Sequence, residues 1–97
     1  MNKIVSNDDI QASLKTLNGW EFGDDKLKKE LHFGSYMDGI DFINSLAKKA
    51  EDIGHHPDLV VGYCKVYVEF TSHDLGGVSE ECVNMARYID SIIPAVD

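Results

Sequence analysis

Arginine is almost missing from this chain of 97 residues, since Arg87 is the only one. Nine basic residues stand against seventeen acidic residues, and the formal net charge is −8 at pH 7. A protein that binds nucleic acid needs a cationic surface, and anionic membranes attract the same charge. We therefore expect no direct contact with nucleic acid and no membrane partner, and a neutral or weakly charged substrate is easier to accommodate.

Cysteine and long hydrophobic runs are equally scarce. Cys64 and Cys82 are too few for a disulfide framework, and we expect both to be reduced, although the sequence leaves a single bridge open. No run approaches the roughly 20 apolar residues of a membrane span. The first nine residues reach acidic side chains before any apolar stretch develops, so we expect no secretory signal and a cytoplasmic location.

The length is typical of a single domain, which we place at residues 1–97. A domain of this size buries only about 60–65% of the surface that its unfolded chain exposes. A monomer with so small a core is marginally stable, and we therefore expect the chain to self-associate.

The first half of the chain predicts a helix followed by a hairpin. Ser6 is a capping residue before apolar residues at helical spacing, so the helix should cover about residues 7–17. Strand-like segments at residues 20–22 and 26–33 are joined by Gly-Asp-Asp at residues 23–25, which is typical of a hairpin turn.

The second half predicts a long helix, a strand and a third helix. The long helix should start after Ser35 and end at Gly54, and its apolar stripe consists of Ile40, Ile43, Leu46, Ala47, Ala50 and Ile53. Alternating apolar residues predict one strand over residues 60–70. Ser79 should cap the third helix, whose buried stripe consists of Cys82, Ala86, Ile89 and Ile93. This order indicates an α+β fold with helices packed on one face of an antiparallel sheet.

Three of the four histidines lie at junctions between predicted elements. His55 and His56 follow the long helix, where Pro57 forces the preceding residue out of helical geometry. His73 follows the predicted strand, in the segment Thr71-Ser72-His73-Asp74. Imidazole has a pKa of about 6.5. Two histidines in one cleft can therefore divide the acid and base roles that the elimination of water requires.

Two other ionisable side chains stand out in the sequence. Glu51 lies one helical turn before His55, and we expect it to accept the second ring proton of His55. Cys82 lies near the third residue of the third helix, where the macrodipole should lower the pKa of its thiol. A small buried filler is nevertheless the commoner role for such a cysteine.

Two other interpretations of the histidines stay open at this point. They can be structural, because imidazoles are common at partly buried positions. They can also bind a metal ion together with a carboxylate. Adjacent histidines rarely converge on one ion, however, and the chain contains no His-x-His, His-x-x-x-His or Cys-x-x-Cys spacing. The sequence signals a metal only weakly, and we expect none.

These residues resemble the signature of the pterin-4a-carbinolamine dehydratases. Glu51 is followed after three residues by His55-His56-Pro57, Tyr63 lies six residues after the proline, and His73 lies ten residues further on. The resemblance covers nearly the whole chain, because it also includes Gly19-Trp20, Phe33, Phe42, Ala47 and the segment from Thr71 to Ser79.

The resemblance implies an α+β domain with a four-stranded antiparallel sheet and three helices, which forms homodimers or homotetramers. The resemblance also implies a reaction, the dehydration of a 4a-hydroxytetrahydropterin to the quinonoid dihydropterin in tetrahydrobiopterin recycling. The implied pathway partner is an aromatic amino acid hydroxylase, and the reaction needs no cofactor. The implied catalytic histidines are His55, His56 and His73, of which His55 and His73 transfer protons and His56 binds the pterin. The implied binding or supporting residues are Glu51, Pro57, Thr71, Ser72, Asp74 and Cys82. We expect the three imidazoles to converge on one cavity wide enough for a bicyclic ring.

The chain also departs from this family. Many members carry aspartate at the position of Cys82 and an aromatic residue at the position of Leu59, so the surroundings of His73 and of the polar edge of the pterin should differ here. Some relatives also bind a homeodomain transcription factor as a dimerisation cofactor. Protein binding as a transcriptional coactivator, without required catalysis, is therefore the alternative function that the resemblance implies.

Overall fold

The computed structural model describes residues 2–93, which contain three helices and four strands. In chain order the elements are α1 (Asn7–Leu14), β1 (Glu21–Gly23), β2 (Lys26–His32), α2 (Tyr36–Ile53), β3 (Asp58–Gly62), β4 (Lys65–Phe70) and α3 (Glu80–Ile92). The strands form one antiparallel sheet in the order β1-β2-β4-β3. The predicted α+β class and the four-stranded sheet are confirmed.

One face of the sheet is apolar because buried residues alternate along β2 and β4. Leu27 and Leu31 are buried and pair with Phe70 and Val66 of the neighbouring strand. These side chains join one hydrophobic cluster with residues of α2 and α3, including Leu46, Ala50, Met85 and Ile89. The opposite face carries half-buried or exposed polar side chains such as Tyr67, so the long helices cover one face only.

Serine side chains begin all three helices, as predicted. Ser6, Ser35 and Ser79 each accept the backbone N–H of the residue three positions ahead. Gly54 ends α2 in the left-handed conformation, with φ of 67°. The first helix ends at Leu14, three residues before the predicted end, because the N–H of the capping Lys15 bonds to the carbonyl of Ala12 and tightens the last turn.

Two-residue turns close both hairpins. The predicted turn between β1 and β2 is confirmed, with φ of 53° at Asp24 and 60° at Asp25. The single strand predicted over residues 60–70 is wrong, because Gly62 pairs with Lys65 and leaves Tyr63 and Cys64 as a turn between β3 and β4. Cys64 adopts φ of 58° in this turn and is half-buried. The turn carries no glycine or asparagine at its centre, so the apolar alternation runs across it without a visible break.

The buried stripe of α2 is narrower than predicted. Ala47 is exposed, and Ile40, Ile43 and Ile53 are only half-buried. The residues that face the sheet are spaced three or four apart and comprise Gly39, Phe42, Leu46 and Ala50. On α3, Cys82, Ala86 and Ile89 are buried as predicted, whereas Ile93 lies beyond the helix end and is half-buried.

The carboxylate of Asp90 connects α3 to β2 and to the segment that precedes β1. Asp90 accepts hydrogen bonds from the backbone N–H of Asn18 at 2.9 Å and from Nε1 of Trp20 at 2.9 Å. Nζ of Lys29 donates to the same carboxylate at 3.0 Å and lies 5.8 Å from the centre of the Trp20 ring. This network explains how a lysine occupies a position of β2 that the alternation assigns to the buried face.

None of the helices in the described part of the chain combines the length and hydrophobicity that a membrane crossing requires.

Candidate functional site

The three predicted histidines lie at one end of the sheet. Asp58 of β3 pairs with Glu69 of β4, so the chain that enters β3 runs beside the chain that leaves β4. His55 and His56 belong to the entering segment, and His73 belongs to the leaving segment. Antiparallel pairing thus brings together histidines that are distant in sequence.

His55 is held inside the protein by an aromatic ring and a thiol. Only 9% of the residue is exposed, and its ring stacks on Phe70, with a centroid separation of 6.0 Å and an angle of 12° between the planes. Nε2 of His55 lies 3.3 Å from Sγ of Cys82, the third residue of α3. His55 is therefore fixed by contacts to β4 and α3.

The electrostatic surroundings of His55 include every other predicted histidine. Burial lowers the pKa of His55 below its usual value, the carboxylate of Glu81 opposes that shift, and positive charge on His56 and His73 adds to it. These interactions place the three imidazoles and Glu81 in one electrostatic neighbourhood. At neutral pH the lowered pKa keeps His55 in its neutral form.

Glu51 contacts His56 and not His55, so the predicted pairing is wrong. Nε2 of His56 bonds to Oε2 of Glu51 on the exposed surface of the site. The left-handed residue Gly54 ends the helix before both histidines. It turns His55 inward to the thiol, whereas the ring of His56 returns to the last turn of α2. Helical spacing counted through Gly54 therefore assigned the carboxylate to the wrong ring.

The loop that carries His73 is shaped by its own hydrogen bonds. Thr71 donates from Oγ1 to the carbonyl of Asp25 at 2.8 Å, and Oγ of Ser72 accepts the N–H of Leu75 at 3.2 Å. The carbonyl of Ser72 accepts the N–H of Gly76 at 2.8 Å. His73 and its neighbour Asp74 are exposed at the tip of this loop, and Pro57, directly after His56, is half-buried.

Cys82 is a buried thiol. It is 0% exposed, and burial raises its pKa above the usual value even though it accepts hydrogen bonds. The expected lowering by the helix macrodipole is therefore wrong, because desolvation of the thiolate outweighs the effects of the helix N-terminus and of Ser79. The protonated thiol is the form that contacts His55 at neutral pH.

Sequence reasoning missed Phe70 as a residue of the site. It is fully buried as the last residue of β4 and supplies the surface on which His55 stacks. Its position directly before the Thr71-Ser72-His73 segment was the available signal, but that signal becomes specific only once the pairing of β3 with β4 is known.

The site is open to solvent at His56 and His73, and its exposed imidazoles can exchange protons with a bound molecule. The expected cavity at the three imidazoles stays a prediction, because the pockets described within residues 2–93 are lined by none of the predicted site residues. The pocket of about 600 Å³ lies on another part of the surface. Its lining consists of His32, Phe33, Gly34, Asp38, Asp41, Phe42, Ser45, Ile92 and Ile93. Within residues 2–93, no group of three or more histidine, cysteine or acidic residues is arranged to hold a metal ion.

Comparison with known proteins identifies the family of this chain. A family model described as pterin 4 alpha carbinolamine dehydratase matches residues 3–92. The chain belongs to this family. The matched range covers nearly the whole chain and includes the three histidines.

Bacterial members of the pterin dehydratase family match over nearly their whole length. A protein from Mycolicibacterium vanbaalenii is 36% identical over 90 residues, covering 93% of this chain and 97% of the relative. A protein from Aquifex aeolicus is 34% identical over 96 residues, covering 99% of this chain and 97% of the relative. Both carry the name pterin-4-alpha-carbinolamine dehydratase as a provisional assignment.

Two solved structures share the fold of the pterin dehydratases. One is described as a transcriptional coactivator/pterin dehydratase from Brucella melitensis, with a TM-score of 0.90 and 26% identity over 95% of this chain and 100% of the other. The second is described as a pterin dehydratase-like protein that is a RuBisCO assembly factor in the alpha-carboxysome. It has a TM-score of 0.61 and 27% identity over 74% of this chain and 83% of the other. Proteins with this fold thus carry descriptions both as enzymes and as protein-binding factors.

Proposed function

We propose that this protein removes water from a 4a-hydroxytetrahydropterin and releases the quinonoid dihydropterin. The observation that carries the proposal is the cluster of His55, His56 and His73 at one end of the sheet, in a chain of the pterin dehydratase family. In this reaction the bond between C4a and the hydroxyl oxygen breaks, the proton on the neighbouring N5 leaves, and a double bond forms between the two ring atoms. Atoms and electrons balance with one water released, so proton-transfer groups supply the chemistry that the step needs.

We assign the proton transfers to His55 and His73 and the binding of the pterin to His56. Burial keeps His55 neutral, and contacts to Phe70 and Cys82 fix its position. His73 is exposed at a loop tip, where its ring can approach a bound heterocycle from the side opposite the core. His56 is oriented by Glu51, which suits a group that holds the substrate in place.

The supporting residues act on the segments that carry the histidines. The Thr71 hydroxyl ties the end of β4 to the carbonyl of Asp25, and Ser72 closes the loop around His73. Pro57 keeps His56 out of helical geometry. Asp74 is exposed beside His73 and can accept hydrogen bonds from the polar edge of a pterin.

The test is the rate of dehydration of carbinolamine generated by a hydroxylase, followed by absorbance. We expect the wild-type protein to accelerate dehydration and His73→Ala to lose about 10²–10⁴-fold of that acceleration, which is the usual contribution of one positioned proton-transfer group. His32→Ala is the matched control, because His32 is exposed, lies at the end of β2 and pairs with Glu30 at 2.9 Å. A wild-type rate equal to the uncatalysed rate would refute the proposal.

We further place the reaction in the cytoplasm, in tetrahydrobiopterin recycling, downstream of an aromatic amino acid hydroxylase. We propose that the single domain of residues 1–97 works as a homodimer or homotetramer. In support, β3 is an edge strand whose Val60 and Val61 are 65% and 45% exposed, which is a surface that sheet pairing between copies would cover.

A second candidate function is protein binding as a transcriptional coactivator. It is favoured by the description of the Brucella melitensis relative and by exposed apolar side chains near the start of α2, where Tyr36 stacks on Tyr63 at 6.4 Å. Replacement of His55, His56 and His73 together separates the two functions. A regulator that still co-purifies with the triple variant favours the coactivator, and loss of dehydration alone favours the enzyme.

A further inference from the structure

A row of three buried polar groups ends at His55. Ser79 and Cys82 are both 0% exposed. Oγ of Ser79 lies 3.4 Å from Sγ of Cys82, and Sγ lies 3.3 Å from Nε2 of His55. The hydroxyl, the thiol and the imidazole therefore form one continuous contact between the first turn of α3 and the histidine cluster.

Each member of this row is uncharged at neutral pH. Burial raises the pKa of the Cys82 thiol and lowers the pKa of His55. A neutral imidazole carries one ring proton, and a thiol carries one proton on sulfur. Only one of these two protons can lie between Nε2 and Sγ, so the row has two possible directions.

The hydrogen-bond inventory decides between the two directions. If Nε2–H donates to Sγ, either the thiol proton of Cys82 or the hydroxyl proton of Ser79 has no acceptor, because the contacts of the Ser79 oxygen are the N–H and Sγ of Cys82. If Ser79 donates to Sγ and the thiol donates to Nε2, every proton in the row has an acceptor. A buried donor without an acceptor is destabilising. An imidazole nitrogen is also a better acceptor than a thiol sulfur.

The other ring nitrogen of His55 faces outward. The side-chain hydrogen bond of His55 runs through Nε2, and no buried side-chain nitrogen or oxygen within residues 2–93 lacks a partner. Nδ1 must therefore reach solvent through the small exposed part of the residue, on the side away from Cys82. A proton on Nδ1 is thus presented to solvent and not to the core.

We propose that Cys82 is a positioning residue that donates its thiol proton to Nε2 of His55 and so holds the imidazole as the Nδ1–H tautomer. The inference deepens the proposed function and rests on it for its catalytic consequence. This narrows the role of His55 from proton transfer to hydrogen bonding, because a neutral ring donates a hydrogen bond from Nδ1 to the departing hydroxyl and keeps its proton. His73 accepts the N5 proton, and that proton leaves with the hydroxyl as water. Cys82 does not touch the substrate, because it lies behind the His55 ring.

The test is nitrogen NMR of the histidine rings in the free protein, with Cys82→Ala and Cys82→Ser as the informative variants. In the wild type we expect the Nδ1 resonance of His55 at the protonated position and the Nε2 resonance at the unprotonated position. Cys82→Ser keeps a donor and should keep this pattern, whereas Cys82→Ala removes the donor and should move both resonances toward the opposite tautomer. Cys64→Ser is the matched control, because Cys64 lies in the turn between β3 and β4 and its replacement should leave His55 unchanged.

Kinetics add a second readout. We expect Cys82→Ala to lower kcat by about tenfold, in proportion to the fraction of His55 that keeps the active tautomer, with recovery in Cys82→Ser. A wild-type His55 that carries its proton on Nε2, or a Cys82→Ala variant with unchanged ring resonances, would overturn the inference. The NMR readout needs no substrate, so an absence of dehydratase activity would count against the proposed function and leave the tautomer result standing.

Discussion

Removing the carboxylate of Asp90 should cost a large part of the stability of this protein. In Asp90→Ala, the backbone N–H of Asn18 is exposed and can bond to water, so its loss contributes little. Nε1 of Trp20 and Nζ of Lys29 are different, because Trp20 is 6% exposed and the Lys29 side chain is 13% exposed. A buried donor left without an acceptor costs about 1–3 kcal/mol, and more when it is charged. Loss of the hydrogen bonds from Trp20 and Lys29 together should lower the free energy of unfolding by about 3–5 kcal/mol, out of a total of about 5–15 kcal/mol.

Urea denaturation followed by tryptophan fluorescence and by circular dichroism measures this change. Asp52→Ala is the matched control, because Asp52 is an exposed aspartate. Asp52 lies near the C-terminal end of α2, and Asp90 lies near the C-terminal end of α3. Both variants gain the same helix propensity from alanine, so their difference isolates the network. If the free energies of unfolding of Asp90→Ala and Asp52→Ala differ by less than about 1 kcal/mol, the network does not hold α3 to the sheet and the reasoning fails.

Four further outcomes follow from the structure. The free energy of unfolding should decrease as the pH falls below about 6.5. In this range His55 binds a proton in the unfolded chain, whereas its lowered pKa keeps it neutral in the folded protein. Denaturation of a His55→Gln variant should show a weaker pH dependence in this range. The hydrogen bond to Glu69 raises the pKa of Tyr67 to about 12, and Glu69→Gln should return it toward about 10 in an absorbance titration of the phenolate. Gly54→Ala should cost about 1 kcal/mol in denaturation, since no atom lies within 4 Å of the added Cβ and only the left-handed backbone is strained. Val60→Lys should shift the protein toward monomer in light scattering, and an unchanged mass would exclude β3 as the contact between copies.

Features set by neighbouring residues could be predicted from the sequence. The three serine caps, the glycine at the end of α2 and the Asp24-Asp25 turn all depend on side chains or backbone preferences within a few positions. The turn at Tyr63 and Cys64 depends instead on the pairing of Gly62 with Lys65, and its residues have no turn preference that stands out. A pattern of alternating apolar residues therefore predicted one strand where the sheet contains two.

The positions of the three histidines at junctions between elements could be predicted, but their contacts could not. Spacing located the three histidines, because junctions between elements are visible in the sequence. The partner of each histidine depends on how Gly54 redirects the chain. Because Gly54 has a left-handed backbone, Glu51 bonds to His56 and not to His55. The protonation state of Cys82 depends on burial, which outweighs the helix N-terminus and can be judged only when the packing around the thiol is known.

The two thiols give the molecule an internal reporter of local opening. Cys64 lies in a surface turn, whereas Cys82 is enclosed between His55 and Ser79. An alkylating reagent should modify Cys64 in the native state and should reach Cys82 only when the first turn of α3 separates from the sheet. The ratio of the two labelling rates then measures how often the histidine cluster comes apart, and a molecule that occupies the site would slow the second rate without changing the first.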